Sequence, residues 1–232
     1  AHHERMDYIA IQIVILVIVG IYYVRRQLGQ SSPLLPLDLL KIPIFTLSIS
    51  TSICSFTAQM LAMVSLPFFL QNTLGHNEVM TGLLLTPWPI ATLITAPTAG
   101  YLVERIHPGI LGSIGMILFA TGLFSLSTLT AESTDLSIIW RLALCGAGFG
   151  LFQTPNNSTI ISSAPTARSG GASGMLGMAR LLGQTFGTTL VALLFSFIAH
   201  EKSTSVCLLV GSGFAVAAAI ISGLRISQPS TV

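Results

Sequence analysis

Charge is scarce in this chain. Lys and Arg number 10 and Asp and Glu 8 among 232 residues, 8% together, against 52% hydrophobic. A soluble domain carries about 25% charged residues, so this composition excludes a solvated globular surface and indicates a polytopic membrane protein. All eight acids (Glu4, Asp7, Asp38, Glu78, Glu104, Glu132, Asp135 and Glu201) fall at the ends of apolar runs or between them. No carboxylate is therefore placed inside a span to carry a proton or hold a cation. His2, His3, His76, His107 and His200 are equally peripheral. Cysteine is rare too: Cys54, Cys145 and Cys207 each lie in an apolar run, with neither a disulfide framework nor metal-ligand spacing. They read as small core hydrophobes. The basic residues are scattered, which removes any argument for nucleic acid. No nucleophile–base pair or metal cluster appears, so neither an enzyme nor a cofactor or metal is expected.

What is abundant is long apolar sequence. A membrane-spanning helix needs about 20 mostly apolar residues, and seven runs approach or reach that length: 8–24, 42–70, 79–103, 110–130, 136–163, 171–199 and 205–224. The backbone must satisfy its own hydrogen bonds in lipid, so each run predicts a helix and the fold class is an all-α membrane protein. A Pro- and Ser-bearing linker separates the first run from a close-set group of six. The expected organisation is a lone transmembrane helix at 1–24, a cytoplasmic linker at 25–41, a six-helix bundle at 42–225 and a cytoplasmic tail at 226–232. The chain begins with Ala1 and no cleavage pattern follows its first run, which predicts a fragment or truncated frame.

Arg25, Arg26, Lys41, Arg105, Arg168 and Arg225 fall on one side of this arrangement. Arg5, Arg141 and Lys202 fall on the other, with most of the acids. The excess of positive charge predicts a cytoplasmic C-terminus.

The polar residues inside the runs are few enough to be informative. Gln153-Thr154-Pro155-Asn156-Asn157-Ser158 interrupts the fifth run, and Pro155 also frees a helix carbonyl. Arg180 is the one charge well inside a run, about 14 Å from its start at 1.5 Å per residue, and Gln153 lies about 15 Å from the same side. Gln153, Asn156 and Asn157 stand at i, i+3 and i+4, and Arg180 and Gln184 at i and i+4, so each set shares a helix face. Two readings remain for the amides: they line a polar cavity, or they hydrogen-bond helices together. For Arg180 the depth exceeds the reach of a snorkelling side chain and points to the cavity. Trp88, within Thr86-Pro87-Trp88-Pro89, is either core or a flat wall for an aromatic or cationic ligand. Runs 110–130 and 205–224 hold mainly small and aliphatic residues and read as peripheral supports.

Gly100-Tyr101-Leu102-Val103-Glu104-Arg105 is similar to the G-x-L-x-D-R signature of the major facilitator superfamily, with Glu104 in place of Asp. Gly146-Ala147-Gly148-Phe149-Gly150-Leu151-Phe152 running into Gln153-Thr154-Pro155-Asn156-Asn157-Ser158 resembles the 14-helix drug:proton antiporters of that superfamily. Gly170 to Gly174 and Arg180, Gly183 and Gly187 extend the likeness. The nearest similarity is to methyl viologen resistance and quaternary-ammonium efflux transporters of bacterial inner membranes.

The resemblance implies the C-terminal half of such a transporter, with 8–24 as an extra helix ahead of the bundle. It implies proton-coupled export of lipophilic or quaternary cations, with the lipid bilayer, protons, the cation substrate and an N-terminal half as partners. Coupling carboxylates would belong to that other half. Gln153, Asn156, Asn157, Arg180 and Gln184 would form the substrate cavity, with Trp88 and Gln59 as outliers. Gly100, Glu104 and Arg105 would form a gating loop. The alternatives are a remnant without transport activity, or part of a transporter for a metabolite or organic anion with Arg180 as counter-ion.

Overall fold

The structure, a computed structural model, describes Tyr22 and residues 36–227. Apart from Tyr22, run 8–24 lies outside the described residues, as do 25–35 of linker 25–41 and 228–232 of the tail. Seven α-helices follow one another with no strand among the described residues: α1 (Pro43–Asn72), α2 (Glu78–Leu85), α3 (Pro87–Leu102), α4 (Pro108–Ser127), α5 (Asp135–Ser162), α6 (Ser169–Phe197) and α7 (His200–Leu224). Helices α2 and α3 together make one span, so six stretches among the described residues are long and apolar enough to cross a membrane.

The expected third run is therefore interrupted, at Thr86. Pro87 and Pro89 both lack an N–H and crowd the carbonyls four residues back, Leu83 and Leu85. The Thr86 N–H turns to Leu83 O at 3.2 Å instead of continuing the α-helical ladder. Pro67, Pro97 and Pro155 sit inside helices that stay continuous. The other boundaries carry local signals. Asn77 caps α2, its Oδ1 accepting from Met80 N–H at 2.8 Å. Gly75 adopts φ +72° to close α1, where His76 N–H reaches Leu70 O at 3.0 Å.

The helices pack in the order α6, α1, α7, α4, α5, α3. The row curls so that α1 also meets α5, while its two ends, α3 and α6, are not packed against each other. The packing at its centre is aromatic: Phe56 of α1, Phe149 of α5, Phe119 of α4 and Trp88 of α3 touch edge to face, with centroids 5.4–5.6 Å apart.

Lipid supplies no hydrophobic drive between helices, so close approach and polar contacts must hold the row together. Gly146 lies against the Trp88 carbonyl so tightly that a Cβ would overlap it. At Gly183 a Cβ would stand 2.6 Å from Ile53 O. Hydroxyls bridge four of the five seams. Thr92 donates to Gly146 O at 3.0 Å between α3 and α5, and Thr57 to Gly183 O at 3.2 Å between α1 and α6. Thr204 reaches Ser65 O at 3.2 Å and Ser212 reaches Ala120 O at 3.0 Å, joining α7 to α1 and α4. The outward faces stay apolar and exposed, as lipid-facing surfaces must: Ile94 is 65% and Ile220 62% exposed.

Candidate functional site

Because α3 and α6 do not close the row, a cavity of about 870 Å³ lies between them, backed by α1 and α5. Helix α1 contributes Phe56, Gln59 and Met63; α5 contributes Phe149 and Gln153; α6 contributes Arg180 and Gln184. The broken α2–α3 span supplies Leu85, Thr86, Trp88, Thr92, Leu93 and Pro97. The break at Thr86 turns a proline-rich segment into one wall, and most of this wall is apolar. Four longer polar side chains, Gln59, Gln153, Arg180 and Gln184, come to it from three helices. Helices α4 and α7 add nothing to the lining, although Met116, Phe119 and Leu123 of α4 are fully buried in the core.

Arg180 is exposed to this space, and its guanidinium carbon stands 5.0 Å from the centroid of the Phe56 ring. Gln184 follows one turn later, and both side chains share the cavity with Gln153. The fifth and sixth runs are not main packing partners. Helices α5 and α6 touch only lightly, and α1 is the main partner of α6. The Phe56 ring stands between Arg180 and Phe149. Trp88 is 2% exposed, packed edge-on against Phe119 at 5.4 Å, and reaches the cavity only at its margin.

Two expected cavity residues lie elsewhere. Asn157 is half-buried and absent from the lining. Asn156 is 1% exposed and faces the interior, one residue past Pro155. Its Nδ2 donates to Ser52 Oγ at 2.7 Å and its Oδ1 accepts from Arg225 Nη1 at 2.8 Å. For Asn156 the helix-joining reading describes the geometry.

Arg225 is the residue that sequence reasoning missed. It stands just past α7 in a short 3₁₀ turn (Arg225–Ser227), where a position at a run's end reads as a surface charge. Instead it is 1% exposed. Its Nη1 also donates to Ser48 Oγ at 3.1 Å, its Nη2 to Ser222 Oγ, and its Nε to Ser222 O at 3.4 Å. A Cβ on Gly112 would stand 3.0 Å from Nη2, so that glycine makes room for the guanidinium. All of these partners are neutral, and the negative end of the α7 dipole adds partial compensation. The available signal was the spacing of Ser48, Ser52 and Ser55 at i, i+4 and i+7, a polar stripe on an apolar helix.

Gly100, in the last turn of α3, and Glu104 and Arg105, just past it, lie at the bundle end that also holds Asp38 and Arg168. There Arg168 Nη2 pairs with Asp38 Oδ1 at 2.9 Å. Gly100 packs against α5, where a Cβ would meet Thr154 Cγ2 at 3.8 Å. Glu104 is exposed, and the Arg105 guanidinium stacks over Tyr101 at 4.7 Å. At the opposite end His76 Nε2 lies 3.1 Å from Asp135 Oδ1.

The sequence matches the Major Facilitator Superfamily over residues 8–188 and 52–230. It is 60% identical over 229 residues to "Uncharacterized transporter YebQ" of Escherichia coli (strain K12), covering 99% of this chain and 50% of that protein. It is 32% identical over 165 residues to "Multidrug resistance protein Stp" of Mycobacterium tuberculosis, covering 71% and 30% of the two chains. "Multidrug efflux pump LfrA" of Mycolicibacterium smegmatis is 29% identical over 184 residues, with coverages of 78% and 36%. The matched stretch thus spans half or less of each of these relatives. Six apolar helices in an open row, a cavity at the opening and the family match together define the chain as a multi-pass membrane protein of the Major Facilitator Superfamily.

Proposed function

We propose that this chain is half of a multidrug efflux transporter of a bacterial inner membrane and forms one wall of its central cavity. The observation that carries the reading is the convergence of Gln59, Gln153, Arg180 and Gln184 on a largely apolar, 870 Å³ cavity between α3 and α6. Such a wall suits lipophilic solutes with a few hydrogen-bonding groups. The printed names of the mycobacterial relatives, a multidrug resistance protein and a multidrug efflux pump, support the same class. Alternating access would come from rocking against a second bundle seated over the open side.

The finer parts of this reading rest on resemblance and charge. Residues 1–24 would be an extra spanning helix of the 14-helix branch, 25–41 a cytoplasmic linker and 226–232 a cytoplasmic tail. Lys41, Arg105, Arg168 and Arg225 share the end that the positive-inside rule assigns to the cytoplasm. Gly100, Glu104 and Arg105 would then act as a gating loop on that side. Coupling to protons, and any grip on methyl viologen or other quaternary cations, would need carboxylates from the facing bundle.

The test is a chimera in which this chain replaces the matched half of the Escherichia coli relative, expressed in cells depleted of their own efflux pumps. Energy-dependent lowering of dye accumulation is expected, and its loss in the Gln153→Ala, Gln184→Ala double variant. A chimera that inserts but does not export, or a double variant that exports normally, contradicts the proposal.

A further inference from the structure

The cavity wall carries a single formal charge, and it is positive. Among the described residues, no Asp or Glu lines the space around Arg180. Of the acids among the described residues, Asp38 pairs with Arg168 and Asp135 with His76, both at the bundle ends. Glu78 opens α2, Glu201 lies in the first turn of α7, and Glu104 and Glu132 lie in connections. None stands where it would neutralise the guanidinium. Nothing on this wall supplies the negative charge that would hold an amine or quaternary ammonium.

The placement of Arg180 also decides which of its surfaces is free. The Arg180 guanidinium carbon lies over the Phe56 ring, 5.0 Å from its centroid. A ring contact of this kind leaves N–H groups of the planar fork for an acceptor, and carboxylate or sulfonate geometry matches that fork bidentately. Gln184, one turn along the same face, adds a neutral donor. Phe56, Phe149, Met63, Leu85 and Leu93 leave room beside them for an aromatic body.

We propose that Arg180, backed by Phe56 and assisted by Gln184, binds the anionic group of a flat lipophilic solute, so that this half-site selects organic anions or zwitterions over cations. The inference rests on the reading of the cavity as the solute site. It departs from the expectation, drawn from resemblance, that cations are the preferred substrates of this wall. A carboxylate for the same fork has two sources, the solute or a side chain of a facing bundle, and the solute is the one assigned here.

The test uses the full chain in lipid nanodiscs, with empty nanodiscs subtracted, and a matched probe pair. 1-Anilinonaphthalene-8-sulfonate and N-phenyl-1-naphthylamine share a skeleton and differ by the sulfonate; tetraphenylphosphonium serves as the cation. The anionic probe should bind at least about tenfold tighter than the neutral one, the scale of one charge-assisted hydrogen bond. Arg180→Gln should erase that preference while leaving the neutral probe within about twofold, and Arg180→Lys should restore part of it. Tighter binding of tetraphenylphosphonium, or an unchanged preference in Arg180→Gln, overturns the anion assignment while the neutral probe still reports an intact site. If no probe binds above the empty nanodiscs, the solute-site reading itself fails. A preference seen in the isolated chain but lost in the chimera assigns the fork to a side-chain carboxylate and overturns the solute assignment.

Discussion

Arg225 Nη1 donates to Asn156 Oδ1 at 2.8 Å, joining the end of α7 to the segment of α5 that follows Pro155. Ser48 and Ser52 bring α1 into the same cluster. A buried guanidinium satisfied only by neutral groups depends on every one of its acceptors. Asn156→Ala should therefore cost about 1.5–3 kcal/mol of unfolding free energy, the range for a hydrogen bond to a charged group. Asn157→Ala, one residue along and half-buried, should stay within about 0.5 kcal/mol. Reversible unfolding in mixed detergent micelles measures both, and equal effects would deny the cluster its structural role.

Close helix approach gives a second prediction. Gly146→Ala puts a Cβ into the Trp88 carbonyl, against backbone that cannot rotate away. It should destabilise the bundle by about 1–3 kcal/mol, as overpacking does. Gly213→Ala meets nothing within 4 Å and should be neutral. Thermal melts of the two variants side by side make the comparison, and a neutral Gly146→Ala would refute the packing of α3 on α5.

Much of this architecture was legible in the apolar runs, because the bilayer demands helices of a fixed minimum length. The runs at 42–70, 136–163 and 171–199 match α1, α5 and α6 to within about two residues at each end. The break at Thr86 was foreshadowed by Pro87 and Pro89, but a continuous kinked helix fits the same residues. At the site, the helical faces placed Gln153, Arg180 and Gln184 together. They misplaced Asn156, since residues at i and i+3 share a face only roughly and α1 takes up Asn156 alone. What decided its role was a serine on a helix about 100 residues away and an arginine beyond the last span. Neither contact is encoded in local spacing.

Topology follows from charge. Reporter fusions after Arg225 and within 71–77 should report opposite sides of the membrane, with the C-terminal fusion cytoplasmic. A cytoplasmic signal from 71–77 would invert the assignment.

Expressed alone, the chain should give no proton-dependent export. Its cavity is open on one side, and one bundle cannot alternate access to a solute from both faces of the membrane. Dye efflux from proteoliposomes under an imposed pH gradient measures this directly. Export by the isolated chain would refute the half-transporter reading.

The central claim is that the space between α3 and α6 is a hydrated, solute-binding cavity and not lipid-filled surface. Its most direct measurement is thiol accessibility in a background with Cys54, Cys145 and Cys207 replaced. Gln153→Cys and Gln184→Cys should react with a membrane-impermeant methanethiosulfonate, and a bound aromatic solute should slow that reaction. Leu182→Cys, on the exposed outer face of α6, should stay unreactive in the bilayer. Unreactive thiols at 153 and 184, or reaction rates that no solute alters, would contradict the account.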